Sequence, residues 1–401
     1  MIAKRRFTEL AAAAAAALFV VSWALLHTAW YDDGEIVDIP VYASYGTAIE
    51  DGALPYRDVR PEYPPGALPA FVVPALLSED EDGFRKVFEA LMAICGVATV
   101  ALMAVALRGL RASRERTVAA LGLAAAFPLL LGSVALSRFD LYPAMLVAAA
   151  LAALVHERDR LGFALLGAAV AVKLYPAVLA PVALAYVWRR QGRREALHCL
   201  ALLVAVVVLA YLPFVVLAPD GVAHSVGRQL SRPLQIESLG SALYLAAHHL
   251  LGLDVEMRSG HGSQNLHATG TAVAAVLLSL LQIGVLVWIW LRRPGSKEEL
   301  VRWSAAALVA FVALGKVLSP QFLIWLVPVV PLVAGLRGLR ASVLLAVALF
   351  LTQLWFPSRY WELARELGGV PSALVLARDL VLVALVVVLV RESRRERARS
   401  T

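Results

Sequence analysis

The sequence predicts an all-α, polytopic integral membrane protein with about 12 transmembrane helices. Three observations lead to this prediction: 60% of the 401 residues are hydrophobic, the mean hydropathy is +0.74, and long apolar runs alternate with short polar loops. Inside a bilayer every backbone polar group needs an internal partner, so long apolar runs cross it as helices. The same composition excludes a water-soluble enzyme.

Basic residues set the expected orientation. One topology places all the Arg-rich and Lys-rich loops on the cytoplasmic side, as the positive-inside rule requires. These loops are Lys4–Arg6, Arg108–Arg116, His156–Arg160, Arg189–Arg194, Arg292–Arg302, Arg337–Arg340 and Arg391–Arg399. Both termini are then cytoplasmic, and we expect a multi-pass protein of a bacterial plasma membrane. The net charge of +7 therefore does not indicate nucleic-acid binding.

The apolar runs give the helices in chain order. The first, Phe7–Trp30, lacks a small-residue cleavage site and is expected to be retained in the membrane. The run Leu161–Trp188 is too long for one span, so we predict two short helices that break near Lys173 and Pro176. The other predicted spans are about Arg85–Leu107, Thr117–Leu136, Phe139–Val155, Ala196–Leu217, Gly270–Leu291, Val301–Leu318, Pro320–Gly335, Ala341–Phe356 and Ser372–Val390.

One further apolar stretch, Tyr63–Leu77, contains four prolines. If it crossed the bilayer, the charge rule would be inverted, so we predict a helix that lies on the outer leaflet. The whole chain, residues 1–401, is expected to form a single membrane domain. Its two large outer loops span residues 31–83 and 218–269.

With this topology the unusual polar residues collect on the outer face. Eight acids lie within residues 31–66 of the first outer loop, and cations lie at the ends of several separate helices. The cations are Arg138, Lys173, Arg232 and Lys316. Most acids of an exposed loop are simply solvated, but a Lys between apolar runs is costly, and such residues usually serve a function. The arrangement favours a site for an anionic lipid head group beside a carboxylate that handles a hydroxyl. Asp140 is either part of it or only a structural partner of Arg138.

A metal site is not required by the sequence. The histidines His248, His249, His261 and His267 fit no trusted zinc-ligand spacing, and the two cysteines, Cys95 and Cys199, argue against a disulfide framework. No cofactor is therefore expected to be essential. A divalent cation is left open because the first outer loop is rich in acids.

Six sequence blocks resemble one family. They are D-I-P-V-Y from Asp38, G-A-L-P-Y-R-D from Gly52, E-Y-P-P-G from Glu62, V-K-L-Y-P from Val172, R-P-L-Q-I-E-S from Arg232 and L-S-P-Q-F-L-I-W-L from Leu318. In this order they resemble the polyprenyl-phosphate-mannose-dependent mannosyltransferases of the GT-C superfamily. The resemblance covers nearly the whole chain and implies an inverting transfer from a lipid-phosphate sugar. It does not name the acceptor.

The resemblance also implies roles for residues. The catalytic base would be an Asp of the first outer loop, in the order Asp38, then Asp33, then Asp32. Lys173, Arg232, Lys316 and Arg138 would bind the donor phosphate. The residues assigned to substrate binding are Tyr42, Tyr56, Tyr63, Gln235, Glu237 and Gln321. The expected partners are a polyprenyl-phosphate sugar, a lipid or glycan acceptor and the bilayer.

Two other classes remain open from the sequence. A multi-helix secondary transporter shares the helix number and the cytoplasmic termini, although no internal repeat is visible. A lipid-binding membrane protein without catalysis is the second alternative. An enzyme site would gather Asp38, Lys173, Arg232 and Lys316 at one boundary of the bilayer, whereas a transporter would have a polar path through the bilayer centre.

Overall fold

The computed structural model describes residues 2–28, 31 and 37–391, and it is a bundle of α-helices with one small β-hairpin. The helices are α1 (Ile2–Leu25), α2 (Ile39–Glu50), α3 (Pro69–Leu76), α4 (Glu81–Gly109), α5 (Arg114–Leu131), α6 (Val134–Ser137), α7 (Leu141–Val155), α8 (Asp159–Val172), α9 (Ala180–Gln191), α10 (Arg193–Leu217), α11 (Pro219–Leu230), α12 (Leu239–Leu251), α13 (Thr271–Trp290), α14 (Lys297–Ala313), α15 (Phe322–Leu326), α16 (Gly335–Gln353), α17 (Tyr360–Glu366) and α18 (Gly369–Val390). Short 3-10 helices cover Pro65–Ala67, Tyr175–Leu179 and Val330–Leu332.

Within the described residues, six helices are long and apolar enough to cross a membrane: α1, from Arg6, together with α4, α10, α13, α16 and α18. Helices α10 and α13 are the most exposed of them, with only 6% and 11% of their apolar windows buried in the protein. Such outward apolar faces suit contact with lipid chains. The class predicted from composition, a mostly helical membrane protein, is therefore confirmed.

The prediction of an all-α chain is wrong at one place. Strands β1 (Glu256–Gly260) and β2 (Ser263–His267) form an antiparallel hairpin, in which Glu256 lies opposite His267. The two-residue turn between them, His261–Gly262, has positive φ at both residues. This backbone matches the twist of paired strands, which is why Gly is favoured there. The segment predicted as the second outer loop, residues 218–269, is thus folded into α11, α12 and the hairpin.

Proline and serine set several helix ends. The side chains of Ser113, Ser238 and Ser296 accept a hydrogen bond from the third residue of α5, α12 and α14, respectively. Helix α8 ends at Val172, and extended backbone at Lys173 precedes a 3-10 turn that contains Pro176. This break lies where the sequence predicts it.

Several predicted helix bounds differ from the structure, those of α1 and of the span Pro320–Gly335 among them. Helix α1 ends at Leu25 in a turn, whereas the apolar run suggested an end at Trp30, which lies outside the described residues. The predicted span Pro320–Gly335 is broken into α15 and a separate 3-10 turn. Pro328 and Pro331 lack the backbone N–H that a continuous helix needs, so the break has a local cause.

The packing brings distant parts of the chain together. Helix α4 packs against α7, α7 against α8, and α8 against α10, while α18 contacts α12, α14 and α16. Helices α2 and α3 pack on each other beside the start of α4. We call this end of the bundle, where α2 and the break after α8 lie, the site end.

Candidate active site

Asp38 and Arg138 form an ion pair at the site end. Asp38 precedes α2, and its Oδ1 lies 2.5 Å from the Nη1 of Arg138. The hydroxyl of Tyr42, one turn further along α2, donates to Oδ2 of Asp38 at 3.3 Å. The Arg138 side chain is 6% exposed and that of Asp38 is 31% exposed. The carboxylate is therefore held from the protein side and stays accessible on the other.

Lys173 forms a second ion pair beside the first. Its Nζ donates to Oδ1 of Asp140 at 2.6 Å, and the Asp140 side chain is fully buried. The ammonium also lies 4.5 Å from the ring centroid of Phe139 and 5.9 Å from that of Tyr63. These rings stabilise a cation through their π faces. Asp140 is thus an ion-pair partner of Lys173, whereas the sequence leaves open whether it belongs to the site or only pairs with Arg138.

The two pairs are joined by one tripeptide. Arg138 contacts Asp38, Phe139 packs edge-on against both Tyr42 and Tyr63, and Asp140 binds Lys173. Ring centroids in this cluster are 4.9 to 5.8 Å apart. The cluster fixes the distance between the carboxylate of α2 and the ammonium after α8.

Trp325 was missed by the sequence reasoning. Its Nε1 donates to Oδ1 of Asp140 at 2.5 Å, and its ring lies between those of Tyr175 and Phe322, with each centroid 4.0 Å away. Trp325 and Lys173 therefore share one carboxylate oxygen. The blocks V-K-L-Y-P and L-S-P-Q-F-L-I-W-L meet at this point.

Arg232 lies in a third cluster. Its Nη2 is 3.7 Å from Oε2 of Glu62, whose Oε1 binds Arg228 at 2.8 Å. Gln229 donates to the Glu62 carbonyl at 3.0 Å. These contacts attach the end of α11 and the segment after it to the E-Y-P-P-G block. In the structure Arg138, Lys173 and Arg232 each have an acidic partner.

The remaining predicted residues lie in or beside the same region. Gln235 donates its backbone N–H to the Lys316 carbonyl at 3.0 Å, and its amide donates to the Glu237 carboxyl. Lys316 contributes this carbonyl, and its side chain is half-buried. Burial raises the pKa of Glu237 to about 8, although Arg378 and Arg138 lower it.

Two predicted substrate residues have structural partners. The Tyr56 hydroxyl donates to the Tyr63 carbonyl at 2.6 Å, and the half-buried Gln321 accepts from the Ser319 hydroxyl at 2.5 Å. The Tyr56 hydroxyl therefore stabilises the backbone of Tyr63, a member of the aromatic cluster. Asp33 and Asp32 lie outside the described residues.

A cavity of about 300 Å³ opens beside Asp38. It lies between the starts of α2 and α4 and is lined by Val37, Ile39, Pro40, Glu81, Asp82 and Arg85. Val37 and Ile39 flank Asp38 in sequence, so the cavity lies next to the segment that carries this carboxylate. In the described part of the chain, His, Cys, Asp and Glu form no group of three that could hold a metal ion.

The overall fold has a counterpart among solved structures. The structure is similar to that of ArnT from Cupriavidus metallidurans bound to undecaprenyl phosphate, with a TM-score of 0.50 and 16% identity, over 94% of this chain and 76% of that one. The apo structure of the same ArnT matches with a TM-score of 0.44 and 16% identity, over 96% and 77%. At this identity the likeness bears on the fold alone.

The family model called Glycosyltransferase family 87 matches residues 62–320, and the chain belongs to this family. The match includes the E-Y-P-P-G, V-K-L-Y-P and R-P-L-Q-I-E-S blocks, but it begins after Asp38. No curated protein matches the chain. Because the chain belongs to a glycosyltransferase family, the enzyme is favoured over the transporter that the sequence left open.

Proposed function

We propose that this chain moves a mannosyl residue from a polyprenyl-phosphate donor to a hydroxyl of a lipid or glycan acceptor, with inversion at the anomeric carbon. The observation that carries the proposal is the joint site, in which Arg138, Phe139 and Asp140 link the Asp38 carboxylate to the Lys173 ammonium. Family membership supports sugar transfer. The undecaprenyl phosphate bound by ArnT supports a lipid-phosphate donor, and the sequence blocks support mannose.

In this mechanism Asp38 is the general base. The acceptor oxygen forms the new bond to the anomeric carbon while the bond from that carbon to the phosphate oxygen breaks. The hydroxyl proton passes to the Asp38 carboxylate, and the bonding electron pair leaves with the phosphate. Tyr42 and Arg138 orient the carboxylate, and the cavity beside it admits the acceptor. Proton removal by a positioned base typically contributes about 10²- to 10⁴-fold in rate.

The leaving phosphate gains charge as the bond breaks, so a fixed cation stabilises the transition state more than the bound donor. Lys173 has three N–H donors, and Asp140 takes one of them. The other two are assigned to the phosphate. Arg232 and Lys316 are assigned to its second side, and Tyr63, Gln235 and Gln321 to the sugar and the acceptor.

We further infer that the site faces the outside of the cell and that both termini are cytoplasmic. Adding the shorter α5, α7, α8, α9, α14 and the broken segment Phe322–Leu332 to the six long helices gives twelve crossings. Helix α3 has eight residues, a length of about 12 Å against roughly 30 Å of hydrocarbon. It therefore suits an interfacial position.

A panel of donors tests the proposal. Purified protein in nanodiscs is given a bacterial membrane lipid extract and radiolabelled mannose as polyprenyl-phosphate mannose or as a nucleotide sugar. Parallel samples carry polyprenyl-phosphate glucose and arabinose. We expect a labelled lipid or glycan product from the polyprenyl-phosphate mannose alone. Transfer from polyprenyl-phosphate glucose or arabinose would show that the donor sugar is not mannose. Transfer from the nucleotide sugar, or the absence of transfer from every donor, would overturn the proposal.

A further inference from the structure

Two charged residues lie inside the last apolar helix. Arg378 and Asp379 are both 0% exposed in α18, a helix that is long and apolar enough to cross the membrane. Charged side chains in such helices are costly and usually mark a functional region. The family match ends at residue 320, so it does not cover this pair.

Arg378 binds the backbone of the candidate site. Its Nη2 donates to the Glu237 carbonyl at 2.7 Å, and its Nε lies 2.7 Å from Oδ1 of Asp379. The guanidinium also lies 5.7 Å from the ring centroid of Trp355, at the end of α16. Helix α18 thereby holds the last residues of the R-P-L-Q-I-E-S block, although more than a hundred residues separate them in sequence.

The Glu237 carboxyl interacts with charges of two other segments: Arg378 and Asp379 on α18, and Arg138 just after α6. Burial raises its pKa to about 8; Arg378 and Arg138 lower it, and Asp379 raises it. At neutral pH the carboxyl is therefore mostly protonated. The guanidinium of Arg138 is then directed to Asp38, its ion-pair partner at 2.5 Å.

Two further groups face this carboxyl. The Gln235 amide donates to it from the same segment. Tyr360, on α17, has its pKa raised by burial and by the charges of Glu237 and Asp38, and lowered by Arg138. When Glu237 is ionised, the charges of Asp38, Arg138, Glu237, Arg378 and Asp379 alternate in sign. An ionised Glu237 would compete with Asp38 for Arg138.

We propose that Arg378 and Asp379 are positioning residues for the reaction: Arg378 anchors Glu237 and sets its charge state, and Glu237 controls how firmly Arg138 holds Asp38. The proposal deepens the proposed function and rests on it. It makes the C-terminal helix part of the site.

The variant Arg378→Gln tests the anchor. We expect kcat at neutral pH to fall by about tenfold to hundredfold because the Glu237 segment loses the anchor at its backbone carbonyl and shifts relative to Arg138 and Asp38. The KM for the donor should stay within about threefold, since Lys173 is untouched. Rates are normalised to the folded fraction from size-exclusion chromatography. If this variant does not fold, Arg378→Gln/Asp379→Asn removes both charges together and avoids an unpaired buried carboxylate.

Arg302 offers a matched control. It is also a buried arginine, and its Nε donates at 2.8 Å to the Leu389 carbonyl, near the other end of α18. Arg302→Gln removes an anchor of the same kind far from Glu237. We expect Arg302→Gln to lower the stability of the protein but to leave the kcat of the folded enzyme unchanged. Arg378→Gln, by contrast, should lower kcat.

The pH dependence separates positioning from a purely structural role. We expect kcat of the wild type to fall above pH 8 as Glu237 ionises. This inflection should be absent in Glu237→Gln. In Arg378→Gln it should move up by about one pH unit, because a neighbouring positive charge is lost. Folded Arg378→Gln enzyme with wild-type kcat and an unchanged inflection would overturn the proposal.

Infrared difference spectroscopy tests the same contact without turnover. The protonated Glu237 carboxyl should give a band that disappears as the pH passes about 8, that is missing in Glu237→Gln and that persists to higher pH in Arg378→Gln. If the wild type transfers no sugar, the proposed function fails, and the infrared titration still decides on the Arg378 anchor. A band that titrates identically in wild type and Arg378→Gln would contradict it.

Discussion

Lys173 and Asp140 form a nearly dry ion pair, with 2.6 Å between Nζ and Oδ1 and side-chain exposures of 13% and 0%. The same Asp140 oxygen accepts from the Trp325 indole. The positive charge of Lys173, which we assign to binding the donor phosphate, is therefore already fixed in place before any donor binds.

The first prediction concerns the stability of this pair. Removing one partner of a buried ion pair leaves an uncompensated charge and typically costs about 3–5 kcal/mol. Asp140→Leu and Lys173→Met should each destabilise the protein by about that amount in detergent unfolding, and the double variant by clearly less than their sum. The surface pair of Arg160 and Glu195 is the control, and its coupling should be much smaller than that of Lys173 and Asp140 because solvent screens it. Additive effects at Lys173 and Asp140 would contradict the pairing.

The second prediction concerns donor use. Lys173→Gln removes the cation but keeps a side chain of similar length, so both donor binding and the chemical step should suffer. We expect kcat/KM for the donor to fall by about 10²- to 10³-fold, in line with the loss of one preorganised donor to a developing oxyanion. The exposed Lys86→Gln, which breaks only a surface pair with Asp82, should stay within twofold. A normal donor KM in Lys173→Gln would argue that the phosphate binds elsewhere.

The third prediction concerns the contact between α2 and α3. A Cβ on Gly46 would collide with the Phe71 carbonyl oxygen, whereas a Cβ on Gly122 would meet nothing within 4 Å. Gly46→Ala should destabilise the protein by about 1–3 kcal/mol and displace Asp38 at the start of α2. Gly122→Ala, in the interior of α5, should be neutral or stabilising by up to about 1 kcal/mol. Thermal unfolding in detergent measures both, and equal effects would mean that α2 does not pack closely on α3.

Much of the site could be predicted from the sequence because its residues lie in short polar blocks between apolar runs. Lys173 and Arg138 stand out for that reason, and the break after α8 follows from Pro176. The partners could not be predicted. From the sequence, Asp140 is either part of the site or a structural partner of Arg138, two residues away, and three-dimensional packing places it against Lys173.

Two other features of the structure were not predicted from the sequence, for different reasons. The β-hairpin has polar strands of five residues, which carry too little hydrophobic pattern to be read beside the membrane helices. Arg378 and Asp379 did carry a signal, since two charges interrupt an otherwise apolar run. Their link to Glu237 depends on the contact of α18 with α12, which the sequence does not reveal.

The central claim is that Asp38 removes the acceptor proton. Asp38→Asn keeps the shape and most hydrogen bonds of the side chain but cannot accept that proton. The exposed Asp51→Asn, at the end of α2, serves as the control within the same loop. Asp33→Asn tests the alternative that Asp33 is the catalytic base.

The most direct measurement is single-turnover transfer from radiolabelled polyprenyl-phosphate mannose by nanodisc-embedded wild type and these three variants. We predict a chemical step about 10²- to 10⁴-fold slower in Asp38→Asn, with donor affinity within about threefold and with Asp51→Asn and Asp33→Asn close to wild type. An Asp38→Asn enzyme that transfers at the wild-type rate while Asp33→Asn is inactive would contradict the account.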